Sequence, residues 1–250
     1  MPSKPYIVAV IPARLASTRL PRKVLRAIAG EPMLAWVYRA ARACAQLDQV
    51  LIATDSDEVV EFAQFRKWDV MLTPPSCPSG TDRVFYVAQT VPANIYVNIQ
   101  GDEPLLRPEH IDALLTPLLL RPDAQVSTIA TMCSPDQIDN PNAVKVVTAS
   151  NGKALYFSRA AIPYDRDQTG GVRYRKHLGL YAYRKTALDR FPDLPGSLLE
   201  SSEKLEQLRF LENGIDVFVE HTPFDTIGVD TEEDLAAVDA ILRERLAHTL

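Results

Sequence analysis

The first candidate for chemistry is a basic segment near the start of the chain, residues 11–23, which reads IPARLASTRLPRK. Its cations are Arg14, Arg19, Arg22 and Lys23, and its hydroxyl donors are Ser17 and Thr18. Residues 1–30 contain no Asp or Glu, although the whole chain has a formal net charge of -5. Guanidinium groups and backbone N–H groups suit phosphate oxygens, so this segment predicts a polyphosphate site. The alternative is a solvated basic loop.

Two acidic residues are candidates for holding a divalent cation on a bound phosphate. Asp102 lies in Gln100–Pro104 (QGDEP), directly after an apolar run, and Asp230 comes shortly before the C-terminal helical pattern. Carboxylates beside bound phosphates commonly hold Mg²⁺. The alternatives are a turn at Asp102 and a helix-capping acid at Asp230. Sequence spacing alone does not bring the two acids together.

Two further segments have weaker signals. In Ser79–Arg83 (SGTDR) the glycine allows a ligand to approach the backbone and the hydroxyls can bind a base or a sugar. Taken alone, that segment is better explained as a helix N-cap. His177 follows two cations and could face an anionic sugar, with a structural role as the alternative. The four histidines show no metal-binding spacing.

Alternating strands and helices with short connections position these loops. Apolar runs predict strands at Tyr6–Ile11 (closed by Pro12), Val50–Thr54, Val70–Thr73, Ile95–Ile99, Val126–Thr131, Val144–Thr148, Ala154–Phe157, Leu178–Tyr183 and Val217–His221. Helical spacing predicts helices at Met33–Cys44, Asp57–Lys67, Asp82–Gln89, Glu109–Leu120, Lys204–Asn213 and Thr231–Leu246, the last capped by Thr231. The pattern predicts an α/β fold with a doubly wound, mainly parallel sheet, whose ligand lies beyond the carboxyl ends of the strands.

We expect a single domain over residues 1–250, in which the less regular region 130–225 forms a smaller, partly antiparallel lobe for sugar binding or dimerisation.

Composition argues against several functions. The pI of about 5.4 does not support nucleic-acid binding, and no apolar run approaches a bilayer span. The N-terminus does not resemble a secretory signal, and three scattered cysteines indicate a reducing compartment. We therefore expect a cytoplasmic protein without stable membrane association.

Eight segments in order from Ile11 to Leu235 together resemble one family. They are IPARLASTRLPRK, SGTDR, NIQGDEP, NPNAVKVV, ALYFSRAAIP, KHLGLYAYR, EKLEQLR and GVDTEEDL. The combination resembles the 3-deoxy-manno-octulosonate cytidylyltransferases, or CMP-Kdo synthetases. The first and third segments alone would indicate only a sugar nucleotidyltransferase.

The resemblance implies a Rossmann-like cytidylyltransferase fold and the reaction of CTP with 3-deoxy-D-manno-octulosonate (Kdo) to give CMP-Kdo and diphosphate. It also implies Mg²⁺ as cofactor, a homodimer, and a product that supplies lipopolysaccharide biosynthesis. The alternative within the fold is another acid sugar, such as 8-amino-Kdo or sialic acid. A nucleotide-binding regulator without turnover is a rival of another class. A nicotinamide dehydrogenase is disfavoured because no GxGxxG follows the first strand.

The resemblance also assigns roles to residues. Catalytic roles fall on Asp102, Asp230, Lys23 and Arg14, with Asp102 and Asp230 as the metal ligands. Nucleotide binding falls on Arg14, Arg19, Lys23, Ser79, Gly80, Arg83 and Gln100. The sugar pocket falls on Arg159, His177, Tyr181, Glu200, Glu206 and Gln207. The chain departs from the family pattern at Arg22, where glycine is common, at Cys77–Pro78, and at Ser201, where histidine is common.

Overall fold

The protein is described by a computed structural model over residues 4–15, 19–168 and 170–248. The chain divides into two compact units. Unit 1 contains residues 1–111 and 226–250, and unit 2 contains residues 112–225. The expectation of one domain with a lobe over 130–225 stays a prediction.

The helices and strands follow one another along the chain with short connections. In chain order they are β1 (Ile7–Ala13), β2 (Ala27–Ile28), β3 (Glu31–Pro32), α1 (Met33–Ala43), β4 (Gln49–Thr54), α2 (Asp57–Phe65), β5 (Val70–Leu72), α3 (Gly80–Ala88), β6 (Ile95–Asn98), α4 (Pro108–Leu120), β7 (Val126–Met132), β8 (Lys145–Thr148), β9 (Ala154–Ser158), β10 (Arg175–Arg184), α5 (Lys185–Arg190), α6 (Leu198–Glu203), α7 (Leu208–Glu212), β11 (Val217–His221) and α8 (Glu232–Ala247).

Unit 1 contains four parallel strands in the order β6-β1-β4-β5. Every residue of β1 is buried, as expected of a strand covered on both faces. Because the four strands run in the same direction, their carboxyl ends lie at one edge, where the basic segment and the QGDEP loop both begin.

The prediction that Pro12 closes the first strand is wrong by two residues. β1 continues to Ala13, and Pro12 is in register with Ala53 of β4. The carbonyl of Val10 points towards β6, because it accepts a hydrogen bond from the N–H of Ile99. Residues two positions apart in a strand direct their backbone groups to the same side, so the nitrogen of Pro12 also points towards β6. Strand β6 has ended there, at Asn98, and the missing N–H therefore removes no ladder hydrogen bond.

Unit 2 is a mixed arrangement. β7 pairs in parallel with β11 and antiparallel with β10. β8 and β9 form an antiparallel pair, and β8 also contacts β10 at the position where Lys145 lies opposite Lys176. The predicted α/β class, with mainly parallel strands and an antiparallel part, is confirmed.

The prediction of one helix over Lys204–Asn213 is wrong. In that range the structure has the shorter helix α7, which begins at Leu208, while α6 ends before it at Glu203 and is followed by Lys204, whose φ of 54° is left-handed. Leu205 and Leu208 have helical spacing and are both buried, but α7 begins only at Leu208. No helix in the described part of the chain has the length and apolar character needed to cross a membrane.

Candidate active site

A cleft of about 440 Å³ in unit 1 brings together most of the residues predicted to bind nucleotide. Its lining residues come from the end of β1, the basic segment, the start of α3, the QGDEP loop and the segment before α8. They are Pro12, Arg14, Arg19, Lys23, Val24, Pro78, Ser79, Gly80, Gln100, Gly101, Asp102 and Asp230. This is the carboxyl edge of the parallel strands, the position expected for a ligand.

Lys23 joins the two predicted metal-binding acids. Its Nζ lies 2.6 Å from Oδ2 of Asp102 and 2.8 Å from Oδ1 of Asp230. A guanidinium nitrogen of Arg19 lies 2.9 Å from the other oxygen of Asp230. Burial by itself favours the neutral amine, but the carboxylates of Asp102 and Asp230 outweigh it and raise the pKa of Lys23. For Asp230, burial is likewise outweighed by Lys23 and Arg19, which lower the pKa of the carboxyl group.

The two acids are brought together through Val229, the residue before Asp230. The N–H of Val229 donates to the carbonyl of Asp102 at 2.9 Å. Asp230 itself is fixed at the start of α8, where Thr231 and Asp234 form a reciprocal capping box. The N–H of Asp230 also donates to the Asp234 carboxylate at 3.0 Å. The predicted proximity of the acids is therefore found, while their metal role stays a prediction.

An apolar cluster beneath the cleft fixes α8 against the basic segment. Its buried members are Leu20, Ile28, Met33, Leu105, Val229, Val238 and Leu242. Two members of the cluster are sequence neighbours of cleft residues: Leu20 follows Arg19, and Val229 precedes Asp230. Packing in the core of unit 1 therefore sets where the charged side chains point.

Gly101 allows the QGDEP loop to approach the end of β1. A Cβ at this position would lie 2.8 Å from the carbonyl oxygen of Pro12, closer than real Cβ contacts occur. Any side chain would displace the loop, and with it the adjacent Asp102.

Ser79, Gly80 and Gln100 line the cleft but already have local partners. Ser79 caps α3 through a reciprocal pair with Asp82, which confirms the N-cap interpretation of this segment. A Cβ on Gly80 would lie 3.3 Å from Nε2 of Gln100. That same Nε2 donates to the buried Asn98 side chain at 3.2 Å. Their nucleotide contacts stay predictions.

The rest of the basic segment lies close to neighbouring loops. A guanidinium nitrogen of Arg14 donates to the carbonyl of Cys77, which links the segment to the loop before α3. Arg22 pairs with Glu58 and has a φ of 57°. This is the left-handed region that favours glycine. Ser17 and Thr18, proposed as hydroxyl donors, lie outside the described residues.

Arg83 differs from the other predicted nucleotide ligands because it does not line the cleft. It is fully buried, and one guanidinium nitrogen lies 2.8 Å from the carboxylate of Asp55. A second nitrogen donates to the hydroxyl of Thr73. Arg83 thus connects α3 to Asp55 and Thr73, and its predicted nucleotide contact stays a prediction.

In unit 2, the predicted sugar ligand Arg159 is held by backbone carbonyls, and its contact with substrate stays a prediction. The half-buried side chain donates to backbone carbonyls, at 2.7 Å to Glu203 and 2.8 Å to Pro141. Among the residues that the structure describes, its guanidinium has no carboxylate in ion-pair contact. Glu203, which the sequence analysis missed, accepts from the Ser158 hydroxyl at 2.6 Å and from the Arg159 N–H at 2.9 Å.

His177, predicted as a sugar ligand with a structural role as the alternative, is buried in unit 2. Its ring is buried, lies 2.9 Å from the hydroxyl of Thr128, and packs edge-on against Phe157. Burial lowers the pKa of His177 to about 3, so the ring is neutral near pH 7. Tyr181 packs beside it, and burial raises the pKa of that phenol.

The three remaining predicted sugar ligands differ among themselves. Glu200 forms two hydrogen bonds with Arg209, at 2.5 and 2.7 Å, so its carboxylate already has a cationic partner. Glu206 lies near Tyr181 and contributes to raising the pKa of that residue, after burial and Tyr183. Gln207 is buried, and its Nε2 has no hydrogen-bond partner within the described ranges. An unpaired buried amide is what a polar ligand would satisfy.

No group of three or more His, Cys, Asp or Glu side chains that could hold a metal occurs among the described residues. The pair Asp102 and Asp230 is below that number.

A larger cleft of about 940 Å³ in unit 1 is lined by residues of α1 and of the segment after α2. It contains none of the predicted site residues.

Comparison with known proteins identifies the same family for nearly the whole chain. A family model described as Cytidylyltransferase matches residues 8–219. A relative from Acidobacterium capsulatum, named 3-deoxy-manno-octulosonate cytidylyltransferase, is 66% identical over 96% of this chain and 97% of its own length. A relative of the same name from Koribacter versatilis is 58% identical over 95% of this chain and 90% of its own length.

Solved structures agree with the sequence matches. A CMP:2-keto-3-deoxy-manno-octonic acid synthetase complexed with CTP superposes with a TM-score of 0.93 at 40% identity, covering 96% of this chain and 99% of that one. A 4-diphosphocytidyl-2C-methyl-D-erythritol synthase from Anaerococcus prevotii has a TM-score of 0.65 at 16% identity over 95% and 96% of the chains, which shows the shared fold alone. The chain therefore belongs to the cytidylyltransferase family, and within it to the 3-deoxy-manno-octulosonate cytidylyltransferases.

Proposed function

We propose that this protein transfers CMP from CTP to the anomeric hydroxyl of Kdo, giving CMP-Kdo and diphosphate. The observation that carries the proposal is the meeting of Lys23, Arg19, Asp102 and Asp230 in one cleft of a chain that belongs to this family. The names of the relatives favour Kdo over 8-amino-Kdo or sialic acid as the sugar.

The cations of the cleft neutralise the triphosphate and the leaving diphosphate. CTP carries a charge of about -4 and Kdo adds a carboxylate, and charges of one sign repel strongly in a partly dry cleft. Arg14, Arg19 and Lys23 are positioned to stabilise the diphosphate as it leaves. In-line attack by the sugar hydroxyl on the α-phosphorus needs no covalent intermediate, so the protein contributes positioning and charge.

Asp102 and Asp230 fit Mg²⁺ by their donor chemistry. Mg²⁺ prefers carboxylate oxygens and is usually held by one or two carboxylates together with substrate phosphates, so a pair of acids suffices. When bound, Mg²⁺ would polarise the α-phosphate and lower the pKa of the attacking hydroxyl. Lys23, which contacts both acids, would then be released towards the phosphate oxygens.

Three further properties belong to this proposal. The protein acts as a homodimer, it acts in the cytoplasm, and its product supplies lipopolysaccharide biosynthesis. Exposed apolar side chains on unit 2, among them Tyr164 and Leu198 at 80% exposure each, support a self-association surface.

The test measures diphosphate release with CTP or UTP and with Kdo, 8-amino-Kdo or sialic acid, with and without Mg²⁺. The proposal expects Mg²⁺-dependent release with CTP and Kdo, and much slower release with every other pair. Faster release with another acid sugar would reassign the substrate. Nucleotide binding without release on any pair would favour a regulator and contradict the proposal.

A further inference from the structure

Glu103 is a side chain of the QGDEP loop to which no role has been assigned so far. It directly follows Asp102, and its carboxylate accepts a hydrogen bond from the hydroxyl of Thr226. Thr226 is buried, belongs to unit 1 like Glu103, and lies four residues before Asp230. The two partners are 123 positions apart in the chain, so their contact joins the two segments that carry the predicted metal ligands.

The segment before Asp230 lies close to both oxygens of the Glu103 carboxylate. Oε2 is the acceptor for the Thr226 hydroxyl. A Cβ on Gly228 would lie 3.4 Å from Oε1, so the backbone of Gly228 approaches the other oxygen. Hydrogen bonds to a charged acceptor are stronger than those between neutral groups, so this contact fixes residues 226–228 against the QGDEP loop.

Two other contacts link the same segments, and one of them is lost in the proposed reaction. The N–H of Val229 donates to the carbonyl of Asp102, and Lys23 contacts both acids. The proposed function releases Lys23 towards the phosphate oxygens when Mg²⁺ binds. The contact between Glu103 and Thr226 uses neither metal ligand, so it can persist before and after the metal arrives.

We propose that Glu103 is a positioning residue that, through Thr226, holds Asp230 at the distance from Asp102 that a shared Mg²⁺ requires. This inference rests on the proposed function, because it concerns the same metal site. Mg²⁺ demands near-ideal octahedral geometry, so a small shift of one carboxylate weakens its binding. Residues that orient metal ligands without touching the metal typically contribute about 10- to 100-fold to metal affinity or activity.

The test uses Thr226→Val, which removes the hydroxyl and nearly conserves the shape of the side chain. Mn²⁺ replaces Mg²⁺ as the probe, because its binding in the presence of CTP can be followed by water-proton relaxation without turnover. We expect the Kd of Mn²⁺ to rise about 10-fold. The Mg²⁺ concentration that gives half-maximal diphosphate release should rise by a similar factor, while the KM for Kdo stays unchanged.

Two further variants show whether the effect belongs to this one contact. Glu103→Ala removes the acceptor, and the double variant with Thr226→Val should bind Mn²⁺ about as weakly as the weaker of the two single variants, because both changes break the same contact. Thr226→Ser keeps the hydroxyl and should bind Mn²⁺ as the wild-type protein does.

A matched control is Thr116→Val, the same substitution in α4 of unit 2, where the hydroxyl donates to the backbone carbonyl of Asp112 at 2.9 Å. We expect it to keep the wild-type Kd for Mn²⁺. If Thr226→Val does not fold, Glu103→Ala decides by the same criterion.

Several outcomes would overturn the inference. One is an unchanged Kd for Mn²⁺ in Thr226→Val, and another is a wild-type protein that binds no Mn²⁺ with CTP. An equal loss in Thr226→Ser or in Thr116→Val would also overturn it, because the effect would not depend on this hydroxyl. If the wild-type protein releases no diphosphate from CTP and Kdo, the proposed function fails, while the Mn²⁺ titration still tests the positioning role separately.

Discussion

Lys23 shows how a single side chain can hold two acids in position before a substrate arrives. Without counter-charge, the carboxylates of Asp102 and Asp230 would repel each other across the cleft. The ammonium lies 2.6 and 2.8 Å from them, and its pKa is raised by the same two groups. The charged form therefore persists near neutral pH, so the site is organised in advance for a phosphate-bound cation.

Gly101 leads to a prediction at the level of one residue. In Gly101→Ala the new Cβ would meet the Pro12 carbonyl at 2.8 Å, so the loop must shift. We expect the free energy of unfolding to fall by about 1–3 kcal/mol, measured by urea denaturation, together with slower diphosphate release. The control is Gly196→Ala, where a Cβ meets nothing within 4 Å. Equal stability of the two variants would contradict the prediction.

His177 gives a prediction about pH. Its pKa is about 3 in the folded protein against 6.5 for the ordinary side chain, because the ring is buried. As pH falls below about 6.5, the unfolded state binds a proton that the folded state does not, so stability is lost towards acid. We expect His177 to contribute a loss of about 2 kcal/mol between pH 7 and pH 5.

The measurement compares the free energy of unfolding of the wild-type protein and of His177→Gln at pH 7 and pH 5. The variant should lose less stability than the wild type on acidification. Equal losses, or an NMR titration of the His177 ring between pH 5 and 8, would show that the ring is accessible and can carry charge.

At the scale of residues, the sequence indicated several members of the cleft, while the chemical roles of those residues stay predictions. The basic segment and Asp102 were identified because cations without nearby acids, and an acid after a buried strand, are local patterns. The burial of Arg83 was not predicted because its partner Asp55 lies 28 positions away, and no local pattern shows that pairing.

At the scale of elements, the capping box of α8 positions a predicted metal ligand. Thr231 accepts from the N–H of Asp234, and Asp234 accepts from the N–H groups of Thr231 and Asp230. We expect Thr231→Ala to lower the free energy of unfolding by about 1 kcal/mol and to slow diphosphate release. Thr231→Ser, which keeps the hydroxyl, should retain both. A loss of activity in both variants alike would contradict a capping role.

Strands with continuous apolar runs and helices with capping residues were predicted well. Val217–His221 was predicted with the bounds that β11 has, and Thr231 was predicted as the cap of α8. The start of α7 at Leu208 rather than at Lys204 was missed because Lys204 adopts a left-handed conformation without being glycine. Tertiary contacts, such as those of Glu203 with Ser158 and Arg159, hold this region, and they involve residues about 45 positions apart.

At the scale of the whole molecule, self-association is a testable part of the proposal. The exposed apolar side chains of unit 2 include Met132, Leu155, Tyr164 and Leu198. We expect sedimentation equilibrium at micromolar concentration to give about twice the chain mass of 27.8 kDa. Changing Tyr164 and Leu198 together to Ser should shift the protein towards the monomer, whereas a wild-type monomer would contradict the homodimer.

The overall charge also fits the proposed function. The protein has a net charge of -5, yet its cleft presents Arg14, Arg19 and Lys23. Such a distribution attracts a small polyanion to one place without giving the surface a general affinity for nucleic acid. The sequence could predict this contrast, but only the fold shows that Asp230 joins the cations, because 207 residues separate it from Lys23.

The most direct measurement is Mg²⁺-dependent diphosphate release from CTP and Kdo by Asp102→Asn, compared with the wild-type protein and with Asp123→Asn as an exposed control. The Asp102 variant should fold normally and lose about 10²-fold or more in kcat, because one preorganised charge at the reacting phosphate is removed. The control should keep the wild-type rate. A folded Asp102→Asn protein with near-normal kcat would contradict the convergence of the cationic segment and the two acids on one triphosphate.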